Sequence, residues 1–371
     1  MHHKKDGYIL ILSLMIISLA ITLVTYIFYI GSVQMPFSYT MIHREKAKQL
    51  ALSGIQIAIA KLSQEIEIKD EGKKPGQPAS PAQPAPAGGE NKKAEAWPQE
   101  QAAQKLIKEI VPTLNRWQTF ALKEEYDGID GTIKICMGSE DGKIDLNSWY
   151  DFEKHAFTGD KAKQEVIKHL IIEFFKRIGK EDLYAEFEKF LKARQYRLDD
   201  VTELLRAPGF VAFKDSIFYP GPLKEKEEEK NKIPVYLTDI FTVWSGKQTV
   251  DPWLLSHSMC GLLGIKQSTT GDVESRKKAV EQVIKDIKLD AQWATDWKKY
   301  LAPLYGTDIN ALTKNSELIF NTKFEPKIFS VLSYGVVGQV TQKMLAILER
   351  NEEKNDKKLA YNIIIKKLYW L

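Results

Sequence analysis

Hydrophobic and polar positions divide this chain into contrasting regimes. From Tyr8 to Ile30 no position is charged and most are apolar. At ~1.5 Å rise per residue, such a run crosses the ~30 Å hydrocarbon layer of a bilayer as one helix. After a break at Gly31–Pro36 the pattern becomes amphipathic. Ala47, Leu50, Ala51, Gly54, Ile55, Ala58, Ile59, Leu62 and Ile66 recur at three- and four-residue steps, while His43, Arg44, Lys46, Lys48 and Lys61 take the other faces. The two stretches predict a helix over 8–68, roughly 90 Å long if continuous, kinked or interrupted where Pro36 removes a backbone donor.

Periodicity vanishes over 69–98, where Pro75, Pro78, Pro81, Pro84, Pro86 and Pro98 alternate with Ala, Gly and Gln; this reads as an extended or disordered linker. Ala102, Leu106, Ile107, Ile110, Leu114 and Trp117 then predict a helix ending before Tyr126. Asp-Gly turns at 127–128 and 130–131 precede an alternating strand, Thr132–Met137, and the turn Glu140–Lys143 leads into Ile144–Asn147. Amphipathic helices follow at Lys163–Ile178 and Leu183–Leu191, with a short helix closed by Pro208-Gly209 and a charged loop at Lys224–Lys230. The C-terminus returns to strands at Ile328–Val337, Gln339–Arg350 and Ala360–Leu371, turning at Gly338. The fold class this predicts is α+β.

The length of 371 residues leaves room for two compact units beyond the membrane. A net charge of +4, with Lys and Glu interspersed, argues against a dedicated nucleic-acid face. Lys4 and Lys5 before the apolar run favour a cytoplasmic N-terminus. Cys136 and Cys260 could form one disulfide in an oxidising compartment or remain two buried thiols, and no CxxC or Cys/His zinc pattern occurs. Asp127, Asp130, Glu140, Asp141 and Asp145 lack EF-hand spacing, so turn chemistry is the favoured reading. Ser256 and His257 are adjacent, without a matching acid or oxyanion motif, so no catalytic residue and no enzyme activity is expected.

Several motifs together carry a family resemblance. The short basic leader ending at Gly7, followed by Tyr8 and an uninterrupted apolar helix, resembles the leader of type IV prepilins and type II secretion pseudopilins. Leu12 stands where most of them carry Glu, a departure typical of the K-type minor pseudopilin (general secretion pathway protein K). Glu140 to Asn147, with Gly142, Lys143, Ile144, Leu146 and Asn147 as the matching positions, resembles the segment at which K-type chains leave the pilin sheet for an inserted helical domain. Glu203, Leu204, Leu205, Pro208, Gly209 and Phe210 resemble a helical element of that domain. Val235–Ser245 is similar to a further family segment, but Thr249–Leu255 loses the asparagines that normally follow it.

The resemblance implies a leader at 1–7, a pilin helix at 8–68, the linker at 69–98, the first part of a pilin-like head at 99–146, an inserted mainly α-helical domain at 147–309, and closing strands at 310–371. It implies peptidase cleavage after Gly7 with methylation of Tyr8, and helix packing within a filament through Leu12, Ala47, Ala51, Gly54, Ile55, Ala58 and Ile59. It further implies a single-pass protein of the bacterial inner membrane, bulk in the periplasm, that starts and caps a secretion pseudopilus. The implied partners are the prepilin peptidase, the other minor and major pseudopilins, and secreted substrates or an outer-membrane secretin; no nucleic acid is expected. No cofactor is required, although the family binds calcium in its inserted domain; no ligands can be carried over. Three alternatives stand beside it: a minor pilin of a type IV pilus, a membrane-tethered enzyme, and a DNA-binding or DNA-uptake protein using Leu204–Phe210 as half of a helix-hairpin-helix. Against DNA, the turn lacks a second Gly and no basic cluster follows.

Overall fold

In the computed structural model, residues 4–63, 66–67, 107–177, 179–213, 217, 235–263, 265, 278, 281–282, 319–321, 324, 326–355 and 358–371 are described. The linker at 69–98, Ala102, Leu106 and the loop at 224–230 lie outside them. Along the chain the elements are α1 (Lys4–Leu62), β1 (Ile66–Glu67), β2 (Trp117–Leu122), β3 (Gly131–Ser139), β4 (Ile144–Asp145), β5 (Tyr150–Asp151), β6 (Ala156–Phe157), α2 (Lys161–Arg177), α3 (Leu183–Lys192), β7 (Phe241–Thr242), α4 (His257–Leu262), β8 (Ile328–Val337), β9 (Val340–Asn355) and β10 (Lys358–Trp370). The class is α+β, as the sequence pattern predicts.

The helix α1 is a single 59-residue element, and Pro36 lies inside it. The expected break at Gly31–Pro36 is therefore absent. Proline's fixed φ is helical, so it costs a backbone donor without forcing the chain out of the helix. The helix also ends earlier than position 68. Arg350 Nε donates to the carbonyl of Leu62 at 3.1 Å, and its guanidinium lies 3.1 Å from the centre of the Tyr361 ring. A buried cation thus satisfies the negative end of the helix, and the chain leaves to form β1.

Six strands form one antiparallel sheet in the order β1-β10-β9-β8-β3-β2. Trp117 belongs to its β2 edge rather than to a helix, which corrects the expected helix through Leu114 and Trp117. Val111–Thr113 tightens into a 3-10 turn, and Asn115, at φ 57°, redirects the chain. Periodicity alone does not distinguish such a short apolar run from a helix.

The second half of α1 packs across β8, β9 and β3. Ala47, Ala51, Ile55 and Ala58 are each 0% exposed, Gly54 is buried, and Ile59 packs against the same core. This corrects the assignment of that face to neighbouring helices, because the chain's own sheet already covers it. The small residues serve a close approach within the molecule. A Cβ on Gly335 would lie 1.9 Å from the Ala47 carbonyl oxygen, and one on Gly54 would lie 2.1 Å from Ser333 Oγ. Between β3 and β8 the chain makes a long excursion that holds β4 to β7 and α2 to α4. Its centre is an aromatic cluster of Phe174, Phe175, Phe187, Phe210, Phe213 and Phe241, with ring centroids 5.2 to 6.4 Å apart.

Gly335→Ala should lift α1 from the sheet and destabilise the head by about 3 kcal/mol, whereas Gly31→Ala, with nothing within 4 Å of its Cβ position, should leave the head's melting temperature unchanged. Thermal unfolding of the full chain in detergent micelles, followed by circular dichroism, checks both.

Candidate functional site

Two regions gather the residues singled out by the sequence. The first is the N-terminal half of α1. Its most apolar stretch has no buried residue, and the helix is long and apolar enough to cross a membrane. Tyr8 is 70% exposed and Leu12 is 46% exposed. Apolar exposure continues through Met35, Phe37, Tyr39, Met41 and Ile42, and no Asp, Glu, Lys, Arg or His occurs between Tyr8 and His43. Gly7 lies within the first turns of this helix.

The second region is the junction where the chain leaves the sheet. Ser139 Oγ accepts from Asp141 N and caps a 3-10 turn over Glu140–Gly142. Asp141 is fully buried: its Oδ2 accepts from the backbone N–H groups of Lys327 and Ile328 at 2.7 and 3.1 Å, and Lys247 Nζ lies 2.9 Å from its Oδ1. One carboxylate therefore ties the outgoing chain to the returning one. Glu140 and Lys143 form a buried ion pair beside it. Gly142 is required by contact, since a Cβ there would meet the Leu254 carbonyl oxygen at 1.9 Å.

Ile144 and Asp145 then pair in parallel with Phe241 and Thr242. Asp145 Oδ1 accepts from Asn147 N and Ser148 N at 2.9 and 3.1 Å, capping the single helical turn Leu146–Trp149, while Oδ2 accepts from Ser245 Oγ and Gly246 N at 3.0 and 2.7 Å. Burial outweighs these four bonds and pushes its carboxyl above the ordinary value. Asn147 completes the joint by exchanging two hydrogen bonds of 2.8 Å with the backbone of Leu198. The five family-motif positions from Gly142 to Asn147 are thus brought together as a structural joint.

The Glu203–Phe210 element is a 3-10 helix, Val201–Arg206, with Asp200 and Glu203 forming a capping box. Gly209 takes φ +83°, and Phe210 turns into the aromatic cluster with Leu204 buried behind it. The apolar side of the turn that a helix-hairpin-helix reading would use is therefore packed inward. Burial pushes the Glu203 carboxyl up, but donation from Asp199 N–H and from Arg194, 2.8 Å away, outweighs it and holds the group below the ordinary value.

No disulfide joins Cys136 to Cys260. Cys136 faces outward from β3 while Cys260 is packed within α4, so the two thiols belong to separate elements. Burial, with Asp239 next, pushes the Cys136 thiol up, away from nucleophilic character. Ser256 caps α4 by accepting from Met259 N and donates to the Asp239 carbonyl oxygen, a structural use of its hydroxyl. Asp127 and Asp130 accept from the backbone of Lys123 and Glu124 in the local turn. Among the described residues no group of three or more His, Cys, Asp or Glu side chains could hold a metal ion.

A cavity of about 340 Å³ lies between the outer face of the sheet (Cys136, Leu332, Ile347) and the inserted region (Leu205, Asp239, Trp244). Tyr369 spans the same gap by donating to Asp200 Oδ2. Sequence reasoning missed Asp141, Lys247, Arg350 and Tyr369 as joining residues, because each acts on chain more than a hundred residues away. Only Asp145 carried a local signal, as a polar residue placed before a helical turn.

These features define an α+β chain: a long helix whose apolar first half is long enough to cross a membrane, a sheet seated on its second half, and a helical region inserted between two central strands. No protein-family model and no curated protein sequence matches the chain. Among solved structures it is similar to a chain of the GspK-GspI-GspJ complex from the type 2 secretion system of enterotoxigenic Escherichia coli. The match covers 74% of this chain and 95% of that one, with 12% sequence identity and a TM-score of 0.33. An overlap of that size carries no functional argument.

Gly142→Ala should part the joint from Leu254 and Leu255 and make the inserted region cleavable in limited proteolysis under conditions where the natural chain resists. The folded-state pKa of Glu203 lies below the ordinary value of 4.5. Its stabilisation is therefore fully present above that value and lost as pH falls through the folded pKa. Glu203→Gln should lower stability at about pH 7 and flatten the further loss on going to about pH 3, as read by urea unfolding at each pH.

Proposed function

We propose that this chain is a K-type minor pseudopilin of a type II secretion system. It is anchored by one span with its N-terminus in the cytoplasm and its bulk in the periplasm. It occupies the filament tip, where it starts assembly and carries the inserted region as a cap. The observation that carries this reading is the exposed, charge-free stretch of α1 from Tyr8 onward, which passes without a break into the helix at the centre of the chain's own head. From Tyr8 to Ile42 that helix is about 50 Å long, against ~30 Å of hydrocarbon. The excess is apolar surface that needs a cover, and helices of like subunits supply one. Filament packing thus moves from the Ala47–Ile59 face to the Tyr8–Ile42 segment.

Leu12 supports the tip position. A subunit with no neighbour above it has no amine to pair with, and a carboxylate in the apolar layer would be costly without one. The partners of this reading are the other minor pseudopilins, the major pseudopilin and the prepilin peptidase, with secreted substrates or the secretin beyond the tip. The buried joint at Asp141, Gly142 and Asp145 supports the capping role, since it fixes a bulky region to the sheet through several anchors rather than a flexible tether.

The mature protein should begin at Tyr8, and Gly7→Val should leave the leader uncut; mass spectrometry of the N-terminus decides it. Deleting the chain should reduce surface filaments when the major pseudopilin is overproduced, and replacing Asn147–Ile309 with a short linker should permit longer ones. Unchanged filament number and length in both strains would remove the tip assignment.

A further inference from the structure

Strand β10 pairs with β9 along its length, but on its other side it meets, among the described residues, only β1, at Leu359 and Lys358. From Ala360 to Trp370 its outer edge has no strand partner among the described residues. An open edge is a template for another strand, and proteins usually blunt it with charge, bulges and brevity. This edge is long, and it exposes Ile364, Ile365, Leu368 and Trp370 by 39 to 48%. A bulge between Ile365 and Lys367 brings two lysines to the outer face in succession. Lys366 lies 2.9 Å from Glu349, whereas Lys367 meets only the Tyr369 ring, at 5.8 Å, among the described residues.

The chain also shows what this edge accepts. Where β1 covers it, the pairing is antiparallel, with Ile66 opposite Leu359 and Glu67 opposite Lys358. In this register an apolar position stands opposite an apolar one and an acidic position opposite a basic one. We propose that the Ala360–Trp370 edge of β10 is a docking strand for an extended acidic segment of a partner protein. That segment continues the alternation begun by β1, with apolar side chains beside Ile363, Ile365 and Leu368 and carboxylates beside Lys366 and Lys367. Backbone hydrogen bonds supply affinity, and the cross-strand pairs supply selectivity. A second copy of this chain would present the same basic edge and bring no carboxylate to Lys367.

The test uses the full chain in detergent micelles and three fluorescent peptides: one alternating Ile and Glu, one alternating Ile and Lys, and the acidic one interrupted by Pro. The acidic peptide should bind about tenfold more tightly than the other two, and Lys367→Glu should reverse the preference between acid and base. Amide exchange should slow at 360–370 and not on β2. Because Lys367 is exposed, the variant should keep the circular dichroism of the natural chain. Equal binding of acidic and basic peptides, no binding of either, or protection mapping elsewhere overturns the proposal. Self-association of the chain that occludes this edge and resists Lys367→Glu overturns it too, by assigning the edge to a second copy.

Discussion

The close seating of α1 on its sheet is the constraint on which the other features depend. Two glycines face each other's elements, Gly54 on the helix and Gly335 on β8, and neither has room for a methyl group. Helix and strands therefore approach more closely than ordinary side chains allow, and dispersion contacts multiply over the buried alanines. Because β8 is held in this way, its neighbour β3 is held as well, and the inserted region hangs from the ends of these two strands. The junction then needs only a few well-placed groups. Asp141 reaches the incoming end of β8, and Asp145 grips the loop after β7.

The joint illustrates how a short stretch of sequence can order a large excursion. Asp141 and Asp145 accept from backbone N–H groups and the Ser245 hydroxyl, and Asp141 and Glu140 pair with Lys247 and Lys143. Charge-assisted bonds of this kind are stronger than neutral ones, and a buried carboxylate that loses a partner is costly. Such a joint is rigid because its alternatives are poor. The cavity between sheet and insertion leaves the two layers in contact around a rim, with Tyr369 and Asp200 bridging one side of it.

Much of this architecture is legible in the chain. The uncharged run after Tyr8, the helices around Phe174 and Phe187 and the C-terminal strands all follow from hydrophobic period alone. So does the amphipathic face at Ala47–Ala58, but period states only that a face is covered, not by what. The small residues suggested a neighbouring helix, whereas the cover is a sheet from the far end of the same chain. The β2 strand was hidden by a different route: the apolar spacing at Ile107–Trp117 is helical, and the single left-handed residue Asn115 breaks it. Pro36 misled in the opposite sense, since a helix can run on through a proline at the loss of one hydrogen bond. For the candidate site, the motif from Gly142 to Asn147 was visible as a unit, but the roles of Asp141 and Arg350 depend on partners that no local pattern encodes.

The contact between Arg350 and the last turn of α1 has a mechanical consequence. The helix crosses β8 and β9, from Ala47 beside Gly335 on β8 to Leu62 beside Arg350 on β9. A pull along the helix axis from its apolar end loads this seam in shear, so many contacts must yield together. Force directed across the axis would instead peel the helix away one turn at a time. Arg350 stands at the end of that seam farthest from the apolar half of α1, where it resists the last step of either motion. Traction on the anchor is thereby delivered to the sheet as a whole, and through the joint to everything inserted beyond it.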